Sequence, residues 1–65
     1  METSKEQFLR LPQVKALVGL GRSNIYKMVA DDSFPQPVKL GPQSVAWLLS
    51  EVQFWMDERI AERKR

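Results

Sequence analysis

Five neighbouring side chains in the first half of the chain have the chemistry of a binding surface. They are Arg22, Ser23, Asn24, Tyr26 and Lys27. An arginine grips a phosphate or bonds bidentately to guanine, and an asparagine pairs bidentately with adenine. Serine, tyrosine and lysine side chains donate hydrogen bonds to phosphate oxygens. These residue types favour contact with a nucleic acid, so all five are candidate binding residues.

Each of the five also has an ordinary structural role as its alternative. Arg22 and Lys27 can be solvated surface cations. Ser23 and Asn24 can hydrogen-bond the backbone at the start of their own helix. Tyr26 can pack its ring against a neighbouring element and leave only its hydroxyl in water. Which role each residue takes depends on the elements that position it.

A short helix is predicted before this segment. Proline suits the first helical position, so the helix is expected to start at Pro12. Val14, Leu17 and Val18 then fall at i, i+3 and i+4 and form one apolar stripe. Gly19 can take the left-handed conformation that ends a helix. We expect this helix to turn its apolar stripe towards the core.

A second helix is predicted after a tight turn. Leu20 is expected to point inward from that turn, and Gly21 to act as the N-cap of the helix. Ile25 and Val29 lie at i and i+4 with Met28 beside them, which predicts a buried face. The candidate binding residues then point outward. Two short helices joined in this way make a helix-turn-helix, whose second helix enters the major groove of DNA.

A small β-hairpin is predicted beyond the second helix. The prolines of residues 34–37 prevent a helix, and Phe34 is expected to plug the core beneath that loop. Alternating apolar residues on either side of a turn at residues 41–43 are typical of two short strands. The expected packed positions are Val38, Leu40, Val45 and Trp47. Lys39 and Ser44, one on each strand, are the remaining candidate binding residues.

A third helix is predicted at the C-terminal end of the chain. Ser50 and Gln53 fit the capping box S-x-x-E/Q, which marks a helix start. Phe54 falls off the predicted inward face. That face consists of Val52, Trp55, Met56, Arg59 and Ile60. The element order therefore predicts a mainly α fold, a winged helix-turn-helix with a hairpin wing and a C-terminal helix.

Length and charge restrict the class of protein further. Sixty-five residues make one small domain, expected over residues 8–65 after a flexible N-terminus at residues 1–7. Residues 10–30 include four basic side chains and no acidic one, which fits the electrostatic footprint for a polyanion. A basic solvated surface is the alternative. The charge pattern thus supports the nucleic-acid prediction without requiring it.

Composition excludes several kinds of site. The chain has no cysteine and no histidine, so disulfides and the usual zinc ligands are absent and a cytoplasmic location is favoured. Asp57 and Glu58 are adjacent, so their side chains diverge on a helix and form no acid–base pair. No apolar run has the roughly 20 residues of a membrane span. We expect no enzyme activity, metal, cofactor, small-molecule substrate or membrane partner.

Five segments, in this order, resemble AlpA-type prophage regulators. They are residues 8–11 (FLRL), 19–27 (GLGRSNIYK), 34–41 (FPQPVKLG), 45–47 (VAW) and 50–52 (SEV). That family is similar to phage excisionases and to MerR-like DNA-binding domains. The resemblance implies a small DNA-binding protein that regulates transcription, or else an excision factor that bends attachment-site DNA and recruits an integrase. It also implies that the recognition helix begins with residues 21–24.

Two positions depart from that family. Gln43 stands where an arginine is common in the wing turn, and Leu49 stands where a polar residue is common. We predict a sequence-specific protein that binds double-stranded DNA, cooperatively on adjacent sites, with itself or an integrase as partner. The alternative from another class is a protein-interaction module without DNA binding. Its apolar working surface would consist of Leu49, Phe54 and Met56.

Overall fold

The computed structural model describes residues 6–63, within which it has three helices and three strands. In chain order these are β1 (Phe8–Leu9), α1 (Leu11–Val18), α2 (Arg22–Ala30), β2 (Val38–Gly41), β3 (Ser44–Leu48) and α3 (Leu49–Glu62). Helix, turn, helix, hairpin and helix follow one another as predicted. The winged helix-turn-helix fold is therefore confirmed. Most of the predicted flexible N-terminus, residues 1–5, lies outside the described residues.

The sheet has the strand order β1-β3-β2, with antiparallel pairing on both sides of β3. The sequence predicted the hairpin of β2 and β3 but not β1. Phe8 pairs with Leu48 and Leu9 pairs with Trp47, so β1 lies against the end of the hairpin nearest α3. β1 has only two residues, so its sequence shows no alternating pattern. Its stability comes from pairing with β3, which is distant in the sequence.

Leu40 is exposed at 45%, so its predicted packed position is wrong. The pairing of β2 with β3 shifts in register between Lys39 and Gly41, which makes Leu40 an extra residue in the ladder. Such a bulge breaks the strict alternation of sides along a strand. The other three predicted positions, Val38, Val45 and Trp47, are partly or fully buried.

The turn between α1 and α2 has the predicted geometry. Gly19 has φ 72° and closes α1 in the left-handed region, and Leu20 packs against the core. Gly21 is the N-cap of α2 with extended backbone angles. α1 begins at Leu11, one residue before the predicted start, after Arg10 as N-cap. The angle between the two helices is thus set by a glycine and an inward leucine.

One core joins the helices to the sheet. Its fully buried large side chains are Val14, Ile25, Trp47 and Val52. Phe34 is also buried, as predicted for the plug under the loop, and its ring lies edge-on to Trp55 with the centroids 4.9 Å apart. Tryptophan and phenylalanine supply much of the apolar area that so small a domain can bury.

Three positions on the predicted inward sides of the helices are wrong, because their residues are exposed. They are Leu17 on α1 and Arg59 and Ile60 on α3. Leu17 lies at the edge of the stripe that Val14 and Val18 define, where it is exposed at 42%. Residues 57–62 of α3 are all exposed, so Ile60 lies on the part of the helix that extends beyond the core.

The predicted N-cap of α3 is also wrong. The helix begins at Leu49 with Leu48 as N-cap, so Ser50 lies inside the first turn. The Ser50 hydroxyl donates to the Glu6 carboxylate at 2.8 Å, and the Ser50 backbone N–H donates to the same carboxylate at 3.3 Å. The Leu49 N–H donates to the carbonyl of Gln7 at 2.8 Å. A carboxylate 44 residues earlier in the chain therefore takes the capping role.

Candidate nucleic-acid interface

The five candidate residues of α2 all lie on the outer side of that helix and are exposed. We call Arg22, Ser23, Asn24, Tyr26 and Lys27 the α2 face. Its opposite side is anchored by Ile25, which is completely buried, and by the partly buried Met28 and Val29. The predicted division between buried and outward sides of α2 is therefore confirmed. Whether the α2 face binds DNA stays a prediction.

The polar groups of the α2 face are not used within the fold. Among the described residues, no hydrogen bond or ion pair engages the side chains of Arg22, Ser23, Asn24 or Lys27. In particular, Ser23 and Asn24 do not cap their own helix, so that alternative does not hold. These donors and acceptors remain available to an external partner.

A stack of three side chains links the α2 face to the core. The guanidinium of Arg22 lies 5.6 Å from the centroid of the Tyr26 ring, one helical turn along. The Tyr26 ring lies edge-on to Trp47, with the centroids 6.0 Å apart. Trp47 is fully buried, and its indole N–H donates to the Pro35 carbonyl at 2.9 Å. Arg22 is thereby held against a ring that rests on a fixed core residue.

Sequence reasoning predicted that the Tyr26 ring packs against the hairpin, but it missed the contact with Arg22. The signal was present, because Arg22 and Tyr26 are spaced i, i+4 and share one side of a helix. Sequence reasoning placed Trp47 at a packed position but did not predict its contact with Tyr26. Trp47 has a second role, because it supports the ring on which Arg22 lies.

The electrostatics of the α2 face favour an anion. Residues 10–30 contain no carboxylate, and their four cations are Arg10, Lys15, Arg22 and Lys27, all of them exposed. The first turn of α2 contains no acidic residue either. The free N–H groups at a helix N-terminus add a partial positive charge at that same end. Charge and dipole therefore act together near Arg22.

The wing, which is the hairpin of β2 and β3, contributes fewer exposed candidate residues than α2 does. Lys39 is exposed on β2, while Ser44 is half-buried at the start of β3. Gln43, at the turn between them, is exposed and uncharged. Within residues 6–63, no hydrogen bond or ring contact joins Lys39 or Ser44 to the α2 face. The structure thus groups five of the seven candidate residues on α2 and leaves the other two on the hairpin.

The predicted apolar interaction surface is not continuous. Phe54 is exposed at 65%, but Leu49 and Met56 are partly buried and pack against the core. The unusual leucine at position 49 thus extends the core. In the part of the chain that the structure describes, no group of acidic side chains is arranged to hold a metal ion. No helix there is long and apolar enough to cross a membrane.

Comparison with known proteins agrees with the resemblance inferred from the sequence. A family model for the prophage CP4-57 regulatory protein (AlpA) matches residues 7–60. A protein of Enterobacteria phage P4 described as "Uncharacterized protein ORF88" is 52% identical over 64 residues, which are 98% of this chain and 73% of that protein. The "DNA-binding transcriptional activator AlpA" of Escherichia coli (strain K12) is 34% identical over 62 residues, which are 86% of this chain and 89% of that protein.

Proposed function

We propose that this chain, which belongs to the AlpA family of prophage regulatory proteins, binds double-stranded DNA with the α2 face in the major groove. The observation that carries the proposal is the unused polar chemistry of that face. Four exposed side chains have no hydrogen-bond or ion-pair partner among the described residues, and no carboxylate lies within residues 10–30. The E. coli relative, described as a DNA-binding transcriptional activator, supports the same conclusion.

The residues of the α2 face divide between positioning and reading. Lys27 contacts backbone phosphate, and Ser23 does the same through its hydroxyl. Arg22 and Asn24 have the side chains that read guanine and adenine edges, so they supply sequence specificity. Tyr26 holds Arg22 in place and presents its own hydroxyl to phosphate. Lys39 and Ser44 add weaker contacts from the wing.

A single module of this size contacts few base pairs. One small DNA-binding domain buries about 600–1,000 Å² of protein surface, which limits its specificity. We therefore propose cooperative binding to paired or repeated sites, with regulation of transcription as the outcome. The description of the E. coli relative as a transcriptional activator favours regulation over excision. DNA bending together with integrase recruitment would instead mark an excision factor.

Fluorescence anisotropy of a labelled duplex tests the proposal. The variant Arg22→Gln/Lys27→Gln removes two cations from the α2 face, and Arg59→Gln/Arg63→Gln removes two cations from the end of α3. Both variants change the net charge equally, so the second controls for general attraction to a polyanion. We expect the α2 variant to lose at least about tenfold in affinity. Its salt slope should fall by nearly 0.9 for each phosphate contact removed.

The control variant should bind within a few-fold of the unchanged protein. Equal losses for the two variants would mean that net charge alone drives binding, and the α2 face would then have no special role. Affinity that does not depend on salt would contradict the proposal as well. Circular dichroism of each variant establishes that the fold is retained.

A further inference from the structure

A groove of about 720 Å³ lies between the loop after α2 and the outer side of α3. One wall comes from residues 32–38 and the other from the first three turns of α3. None of the seven candidate DNA-binding residues lines it. The proposed DNA-binding function therefore leaves this surface unexplained.

Hydrogen bonds from side chains of α3, β3 and the loop itself hold the loop wall of the groove. The Trp55 indole N–H donates to the Ser33 carbonyl at 2.8 Å, and the Trp47 indole N–H donates to the Pro35 carbonyl at 2.9 Å. The Gln36 side-chain amide donates to the carbonyl of Val29 at 2.9 Å. A ligand that enters this groove meets formed walls, which reduces the entropy lost on binding.

The α3 wall combines an aromatic ring with negative charge. Glu51, Phe54 and Glu58 are spaced i, i+3 and i+7, so they form one stripe along the helix. Phe54 leaves most of its ring in solvent. Neither glutamate has a hydrogen-bond or ion-pair partner among the described residues. An exposed ring flanked by two unpaired carboxylates is suited to a ligand that is both apolar and cationic.

The single cation that lines the groove does not neutralise this stripe. Arg59 pairs with Glu62 at 2.9 Å, and its guanidinium lies 5.3 Å from the centroid of the Trp55 ring. Asp32 adds a further carboxylate on the loop wall. The charged lining residues are thus three acids and one arginine that already has a carboxylate partner. DNA phosphates would be repelled here.

We propose that the groove docks a short segment of a partner protein that carries Lys or Arg beside an aliphatic side chain. Glu51 and Glu58 lie on either side of Phe54, and their negative charges favour a cationic segment. The aliphatic side chain packs on Phe54 and the loop wall, while a cation lies over the ring face and between the carboxylates. This is a second surface, and it shares no lining residue with the α2 face.

The positions of the two surfaces allow both to be occupied together. The α2 face starts at Arg22, and the groove starts at Asp32, beyond the opposite end of the same helix. A nine-residue helix spans about 13 Å. A protein bound in the groove can therefore remain in place while the other end of α2 lies on DNA.

A random 12-residue peptide display library, selected on the immobilised full chain, tests the proposal. The selected peptides are then titrated against the protein and three variants by fluorescence anisotropy. We expect a consensus of Arg or Lys next to Leu, Ile or Met. Phe54→Ala should weaken binding about tenfold, as expected for an interface anchor. Glu58→Gln should weaken it severalfold, and the neighbouring Asp57→Asn, which does not line the groove, should not.

Peptide binding and DNA binding of the Phe54→Ala variant together decide whether the groove docks a cationic segment. Loss of peptide binding on Phe54→Ala, with duplex DNA binding unchanged in the same variant, supports the proposal. Selected peptides without cations, peptides that bind Phe54→Ala equally well, or no selected peptide at all would overturn it. Self-association of the chain that disappears with Phe54→Ala would also overturn it, because the occupant would then be a second copy. Failure of DNA binding through the α2 face leaves these results unaffected.

Discussion

The α2 face and the groove beside α3 differ in nearly every property that selects a partner. The α2 face carries two cations and no carboxylate, and its apolar contacts all point inward. The groove carries three carboxylates, and a phenylalanine exposes its ring within it. Charge is thus segregated in this small domain. A polyanion is attracted to one surface and repelled by the other, so two partners need not compete.

The two surfaces nevertheless share one support. Trp47 lies under Tyr26 on the side of the α2 face, and its indole N–H fixes Pro35 in the groove wall. A change at Trp47 therefore acts on both surfaces.

Replacing Trp47 by Ala should have the largest effect. Removing a buried tryptophan costs about 3–5 kcal/mol of unfolding free energy. A 65-residue domain has about 3–10 kcal/mol in total at typical values per residue. We expect most of the folded population to be lost, together with both surfaces, in urea titrations followed by circular dichroism. A Trp47→Phe variant keeps an aromatic ring and should remain folded; equal stability of Trp47→Ala and the unchanged protein would contradict the shared support.

Replacing Gly19 by Ala should destabilise the turn that joins α1 to α2. Gly19 has φ 72°, and no atom lies within 4 Å of an added Cβ, so the cost comes from the backbone alone. That cost is about 1–2 kcal/mol of unfolding free energy. The matched variant Gly21→Ser keeps an extended N-cap and should not destabilise the protein. If urea titrations gave equal stabilities for the two variants, the left-handed turn would not set the helix angle.

Replacing Tyr26 by Leu should weaken DNA binding without affecting the groove. An exposed cation–π contact contributes about 0.5–1 kcal/mol, so losing the support of Arg22 should reduce affinity about two- to fivefold. Tyr26→Phe keeps the ring and should lose less. If anisotropy gave the same loss for both variants, the effect would belong to the hydroxyl and not to the positioning of Arg22.

Replacing Glu6 by Gln should have the smallest effect, on the groove side. Hydrogen bonds from the Ser50 hydroxyl and backbone N–H hold the pKa of Glu6 below its ordinary value of 4.5. A lowered folded-state pKa means that the stabilisation is present above 4.5 and is lost as the pH falls through the folded pKa. We expect a slightly lower unfolding midpoint than in the unchanged protein at about pH 7.

The same comparison at about pH 3 should show a smaller difference. Asp57→Asn removes a carboxylate that has no partner among the described residues, and it serves as the control. A Glu6→Gln difference that grows as the pH falls would contradict the capping role of Glu6.

Local patterns in the sequence were sufficient to predict most of the helices and strands and to predict which side of α2 points outward. The i, i+4 spacing of Ile25 and Val29 fixes which side of that helix is buried, and Gly19 is suited by its backbone freedom to end α1. The burial of Phe34 was predictable as well, since it is an apolar residue in a polar loop, directly before a proline.

The features that were not predicted depend on contacts between segments that lie far apart in the sequence. β1 forms only because β3 lies beside it, and Ser50 loses its capping role because Glu6 takes it. Leu40 is exposed because a bulge interrupts the strand. The groove was missed for a related reason: its two walls come from segments that are separated in the sequence, and only the fold brings them together.

The most direct test of the proposed role of the α2 face is an NMR titration of the full, ¹⁵N-labelled chain with a duplex at low salt. We predict that the backbone amide shifts concentrate at residues 22–27 and that residues 51–58 of α3 remain unchanged. Shifts centred on residues 51–58, with residues 22–27 unmoved, would contradict the assignment of DNA to the α2 face.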